Sequence, residues 1–204
     1  LFFAGLWIVL NAHSGWVRYH ERGGAIAFQN LQIPDELALA QSDPDQWLSQ
    51  ADRTNIAEGR KHFHAAVDLG LFTNKEAISK FAWIEYLGGN TDHALQLLDR
   101  AASSQDGQAR ALSLYYRGAI LNRQGRADEA SKSLDQALAE RPDLVAAREE
   151  KGESLWLLGR KEDATSVWKE AIRENPRLPL ANNFLAGAAD ANGRRDEAAT
   201  YEKQ

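Results

Sequence analysis

A self-match at a period of 34 residues constrains this chain more than any other feature. Gly118 recurs as Gly152, and Gly125, Gly159 and Gly193 keep the same step, each followed by an arginine (Arg126, Arg160, Arg194). Ala130, Ala164 and Ala198 form a third series, and Ala137 with Ala171, Pro142 with Pro176 and Leu144 with Leu178 complete it. A fixed period of this length marks a repeat array, in which each unit buries its apolar face against its neighbours rather than in a core of its own. Arrays of this kind usually bind other proteins, so the expected work is recognition rather than chemistry.

Bulk properties narrow the classes further. A net charge of -5 argues against a nucleic-acid surface, because phosphate binding needs a basic face. Cysteine is absent, which excludes disulfides, thiolate metal sites and a cysteine nucleophile. Methionine is absent too, so a chain that starts at Leu1 is expected to lie inside a longer polypeptide or to follow a cleavage site.

Leu1–Leu10 carries no charge, and the apolar run fades through Asn11 and His13 to Trp16 and Val17. About 20 apolar residues span a bilayer. With further residues upstream, segment 1–24 reads as the C-terminal part of a single-pass membrane anchor. Trp16, Arg18, Tyr19 and Arg22 would then sit at the interface, and Gly23-Gly24 would end the helix. Two other readings stand beside it: a helix docked on the repeats, and a secretory signal, which lacks a clean cleavage site. The anchor reading predicts a repeat domain on the periplasmic side of a bacterial membrane, in contact with lipid through this helix.

Residues 25–53 read as an irregular linker, punctuated by Pro34, Asp35, Asp43-Pro44-Asp45 and Asp52. Helical spacing begins at Thr54 and runs to Leu69, with Gly70 as a C-cap. Thr73 and Glu76 form a capping-box pair for the next helix. From Lys75 the 34-residue template fits, first in diverged form over 75–108, then as strong units over 111–144 and 145–178 and a partial one over 179–204. Each unit reads as a helical hairpin. Gly125 supplies a left-handed cap, Asp128 and Glu129 meet the dipole of the second helix, and Pro142 stops it, with Asp143 placed to cap the helix that follows. Ala130 and Ala137 are small where the paired helices approach, and Leu134 fills the space between them.

From about Lys75 to its end the chain resembles the tetratricopeptide repeat family. The family's small, small, large, small and proline positions are Gly118, Ala130, Leu134, Ala137 and Pro142, then Gly152, Ala164, Trp168, Ala171 and Pro176. One departure is Arg148, where the family has a large apolar residue and Leu114 stands in the preceding unit; looser packing is expected there. The resemblance implies an all-α, right-handed solenoid of hairpins with a partner-binding groove lined by the first helix of each unit. Its implied groove residues here are Trp83, Tyr86, Tyr115, Asn122, Arg123, Glu149, Glu153, Trp156 and Asn183. An extended or helical segment with an apolar anchor and a basic residue would complement them. The basic clamp with which some members hold a peptide carboxylate is missing, since its positions are Ser79, Tyr115, Glu149 and Asn183.

His62 and His64 stand two apart, hence about 200° apart around a helix, which is not the spacing of a ligand pair. His93, at a helix start, is expected to face solvent. No phosphate-binding glycine loop, nucleophile elbow or H-E-x-x-H helix occurs, so neither catalysis, a cofactor nor a metal is expected. The sequence therefore points to a membrane-tethered interaction scaffold, an assembly factor or an accessory subunit of a membrane protein complex. The alternatives are a purely structural subunit, or an enzyme with its site in the N-terminal region.

Overall fold

Glycines that admit a neighbouring helix recur through this chain, and they decide how its helices pair. The computed structural model describes residues 2–33, 38–39, 47–70 and 74–203. Ten helices are delimited among them: α1 Phe2–Gln29, α2 Gln50–Leu69, α3 Lys75–Leu87, α4 Thr91–Ala102, α5 Gly107–Arg123, α6 Ala127–Glu140, α7 Val145–Leu157, α8 Lys161–Glu174, α9 Pro179–Ala191 and α10 Arg195–Tyr201. They fall into two compact units, Leu1–Ala109 and Arg110–Gln204.

In the first unit α1 packs along α2 and touches α3. The helix is 28 residues long and runs straight through Gly23 and Gly24, which the sequence reading placed at its end. Those glycines serve close approach instead. A Cβ on Gly23 would lie 2.5 Å from His62 Nδ1, and one on Gly24 would lie 2.7 Å from the Phe63 ring. Val17 and Ala27 are buried on the same side. No helix among the described residues is by itself long and apolar enough to cross a membrane. Beyond Leu10 the α1 sequence turns polar, with His13, Arg18, His20, Glu21 and Arg22, and its C-terminal half spends its apolar side chains on α2.

Helix α2 starts four residues before the expected Thr54. Ser49 caps it by accepting the Asp52 N–H at 3.0 Å. Asp52, itself buried, accepts the Gln32 N–H at 2.9 Å and so ties the chain after α1 to the start of α2. Gly70 follows α2 with φ -79 and ψ 135, an extended exit rather than the left-handed cap expected. Thr73 and the turn residues Pro34, Asp35 and Asp43-Pro44-Asp45 lie outside the described residues; α3 is capped by Asn74, which accepts the Glu76 N–H at 2.9 Å. His93 does not simply face solvent. Its Nδ1 lies 3.3 Å from buried Glu85, which also accepts from Arg60 Nε at 2.9 Å and from Asn90 Nδ2 at 2.6 Å.

Each hairpin turn is built the same way. Gly89, Gly125, Gly159 and Gly193 have φ of 81, 71, 77 and 72, a region where a side chain is strained. At Gly125 the turn closes with Arg126 N–H donating to Leu121 O at 2.9 Å, and Arg160 to Leu155 and Arg194 to Ala189 repeat this at 2.9 Å each. The arginine after three of these glycines then reaches an acid three residues on: Arg126 to Glu129, Arg160 to Asp163 and Arg194 to Glu197, all at 2.7 Å. The Gly-Arg pair in the sequence is therefore a backbone cap followed by a surface ion pair.

In the first two hairpins of the second unit the large residue of the second helix lies over a glycine of the first. A Cβ on Gly118 would fall 2.5 Å from Leu134 Cγ, and one on Gly152 would fall 2.2 Å from Trp168 Nε1. Trp168 is fully buried and donates Nε1–H to Glu149 O at 2.9 Å. Arg148 does not loosen its unit as expected. It bridges α7 to the end of α8 by an ion pair to Glu174 at 2.6 Å, and it also bonds Pro142 O at 2.6 Å. Asp143 pairs with Arg141 at 3.1 Å and leaves α7 without a side-chain cap.

Gly152→Ala should destabilise the protein by about 1–3 kcal/mol, because the added methyl overpacks against Trp168. Gly187→Ala should be neutral or stabilising by roughly 0.5–1 kcal/mol, since nothing lies within 4 Å of its Cβ position and alanine favours a helix. Thermal or urea unfolding of both variants checks the pair, and equal effects would contradict the close contact.

Candidate partner-binding face

The polar junction between α5 and α7 is the most unusual chemistry in the second unit. Asn122 and Arg123 end α5; Glu150, Glu153 and Ser154 lie on one face of α7, at spacings of three and four. Arg123 spreads its guanidinium between two carboxylates: Nη1 reaches Glu153 Oε1 at 2.5 Å, and Nη2 reaches Glu150 Oε1 at 2.9 Å. Asn122 Nδ2 donates to Glu150 Oε2 at 3.0 Å and to Glu150 O at 2.9 Å, while Ser154 Oγ donates to Asn122 Oδ1 at 2.8 Å. Glu153 Oε2 and Arg123 Nε remain buried without a hydrogen-bond partner.

Two carboxylates share one guanidinium, so a negative charge is left over. Burial, the largest cause, together with the neighbouring Glu153 and Glu149 carboxylates, pushes the Glu150 carboxyl up to about 7 against the opposing pull of Arg123 and Asn122. Burial works against the charge on Arg123, but Glu150 and Glu153 outweigh it and hold its pKa above the ordinary value. Glu149, on the neighbouring face, accepts the Ala181 N–H at 2.9 Å, and this carboxylate at the first turn of α9 takes the place of a side-chain cap.

Beside this junction stands an aromatic group. Trp156 lies 5.3 Å from Phe184 and 5.9 Å from Trp168, with the Lys161 ammonium 5.0 Å over its ring. Phe184 stacks on Trp168 at 4.6 Å. Trp156 is half-buried, and Leu157 and Asn183 are exposed. Trp156 follows Glu153 of the acidic junction by three residues on α7.

The tetratricopeptide repeat profile matches residues 79–145, 121–167 and 150–204. The chain belongs to the tetratricopeptide repeat family. Among solved structures, the fold is similar to that of MamA, with a TM-score of 0.62 at 19% identity over 77% of this chain and 92% of that one. A MamA RS-1 double mutant gives 0.61 at 15% identity over 74% and 83%. A kinesin light chain of Podosopora anserina with nearly identical repeats gives 0.57 at 16% over 74% and 85%. At these identities the likeness is one of fold. A search of the curated proteins finds no match.

The tetratricopeptide groove positions read from the sequence fall in different settings. Trp83 and Tyr86 belong to the first unit, where Trp83 is buried against Tyr86 at 5.3 Å and Tyr86 donates its hydroxyl to Ala38 O at 3.4 Å. In the second unit Tyr115 is buried beside Tyr116, and Asn122, Glu149 and Glu153 are buried in the polar junction. Arg123 and Trp156 are partly accessible and Asn183 is exposed. Glu150, Ser154, Lys161 and Phe184 were not singled out by sequence. A carboxylate on α7 facing the end of α5 is the signal that marks Glu150, and only the helix pairing shows it.

Because the Glu150 carboxyl sits above its unfolded value, its ionisation opposes folding. The stabilisation is complete below pH 4.5 and is lost as pH rises through about 7. The second unit should therefore weaken between pH 5 and pH 8, by up to about 3 kcal/mol. Glu150→Gln should flatten this dependence in urea titrations at a series of pH values; an unchanged slope would contradict the shared-charge junction.

Proposed function

We propose that this tetratricopeptide repeat protein is an interaction scaffold, and that its second unit captures an extended or helical partner segment carrying an apolar anchor and a basic residue. The observation that carries this reading is Trp156. It is packed on Phe184 and Trp168, carries the Lys161 ammonium over its ring, stays half-buried, and follows Glu153 of the Arg123 junction by three residues on α7. Aromatic side chains held rigid at the edge of a core give large contact area at low entropic cost and often act as hot spots. Leu157, 48% exposed, extends the apolar patch. The scaffold serves as an assembly factor or accessory subunit within a larger complex.

Trp156→Ala should weaken binding of a protein partner isolated by pull-down with the full chain by roughly 2 kcal/mol or more. Leu157→Asp, which leaves the core untouched, should weaken it as well. Folded variants with unchanged affinity would move the interface off this face.

A second reading concerns tethering and rests on α1. Leu6, Trp7, Ile8, Val9 and Leu10 are consecutive and all exposed, so the helix is apolar around its whole circumference there. A protein groove covers one side of such a helix, whereas lipid covers all sides. The reading is that this end enters a lipid surface, with Trp16, Arg18 and Tyr19 at headgroup level. The full chain should then co-sediment with phospholipid vesicles, and Ile8→Glu with Val9→Glu should abolish this; equal sedimentation of both would end the tether reading.

A further inference from the structure

His62 cannot pair with His64 on its own helix, and His64 instead faces Asp68 at 3.5 Å. The fold gives His62 another imidazole, 42 residues upstream. His20 on α1 and His62 on α2 bring their Nδ1 atoms to 3.1 Å, with ring centres 5.1 Å apart and ring planes inclined by 49°. A metal with bonds of about 2.0–2.1 Å to two adjacent imidazole nitrogens holds those nitrogens about 2.9–3.4 Å apart for angles between square-planar and tetrahedral, with ring centres about 5 Å apart. The observed pair lies within this range, which a direct N–H···N contact also occupies.

We infer that His20 and His62 form a two-point site for a divalent transition-metal ion of the copper, nickel and zinc class, joining α1 to α2. Three surrounding features fit this assignment. Gly23, one turn beyond His20, has no side chain where a Cβ would sit 2.5 Å from His62 Nδ1, so the nitrogen pair is given room. Glu58 places Oε2 4.0 Å from His62 Nε2, on the side away from His20. At that distance the carboxylate makes no hydrogen bond, and it adds negative charge beside the pair. Trp16, 4.7 Å from His20, and Tyr19, 5.7 Å from His62, wall the rings edge-on and fix their planes.

Both histidines are partly open to solvent, so water completes the coordination sphere. Imidazole nitrogen selects copper, nickel and zinc over magnesium and calcium, which prefer oxygen. An ion that binds only when α1 lies on α2 stabilises that docking by mass action. The site would make the seat of α1 dependent on metal supply.

The test uses the full chain. Titration calorimetry with zinc, nickel and copper chlorides should give one site per chain, and magnesium chloride should give none. Affinity should fall at least ten-fold in His20→Ala and in His62→Ala and stay unchanged in His64→Ala. Electron paramagnetic resonance of the copper complex should show two coordinating nitrogens. If an alanine variant does not fold, the nitrogen count in the unaltered chain decides alone. Equal affinity in folded His20→Ala, or a copper signal with fewer than two nitrogens, would overturn the assignment and leave the pair as a simple N–H···N hydrogen bond.

Discussion

Large side chains seated on bare backbone set the helix pairings of this protein. Trp168 occupies the space that a side chain at Gly152 would take, and Leu134 does the same at Gly118. The first unit uses the same device, with Phe63 over Gly24 and Ile84 over Gly59. Helices brought this close exchange many dispersion contacts, and burying an indole or a leucine contributes about 1.5–3 kcal/mol. Because the match is one of shape, it also fixes rotation and register. Alanines buried alongside, such as Ala130, Ala137, Ala164 and Ala171, keep the rest of each second helix near its partner.

Close packing leaves the Arg123 junction little room, and its polarity is therefore consequential. Removing two carboxylates and a guanidinium from water is costly, and the mutual attraction offsets that only when geometry and hydrogen bonding are complete. Here they are incomplete, since Glu153 Oε2 and Arg123 Nε lack partners. The bonds from Asn122 and Arg123 to Glu150, and from Ser154 to Asn122, nonetheless tie the end of α5 to one face of α7. Glu153 of this junction and the half-buried Trp156 stand three residues apart on helix α7.

Helix α1 changes character along its length. From Val17 onward it is a packing element, recognised by α2 through Gly23 and Gly24. Its Leu6–Leu10 turns touch nothing that buries them. The sequence expectation ended the helix at Gly23-Gly24, whereas it continues to Gln29. A helix-breaking role for paired glycines was the reasonable expectation from propensity, but tertiary contact with His62 and Phe63 overrides it.

The sequence by itself determined the repeat, the hairpins and their turns. These depend on local rules: a left-handed φ demands glycine at Gly125, Gly159 and Gly193, and a 34-residue period repeats one supersecondary unit. Five of the nine groove positions read by resemblance, Trp83, Tyr115, Asn122, Glu149 and Glu153, are buried in the structure. Only the tertiary structure decided which positions stay accessible, because burial depends on what the next helix brings. It alone paired Glu150 with Arg123, Glu149 with the start of α9, and His20 with His62. Each of these contacts joins groups 27 or more residues apart in the chain, and no local spacing encodes the distance between two helices.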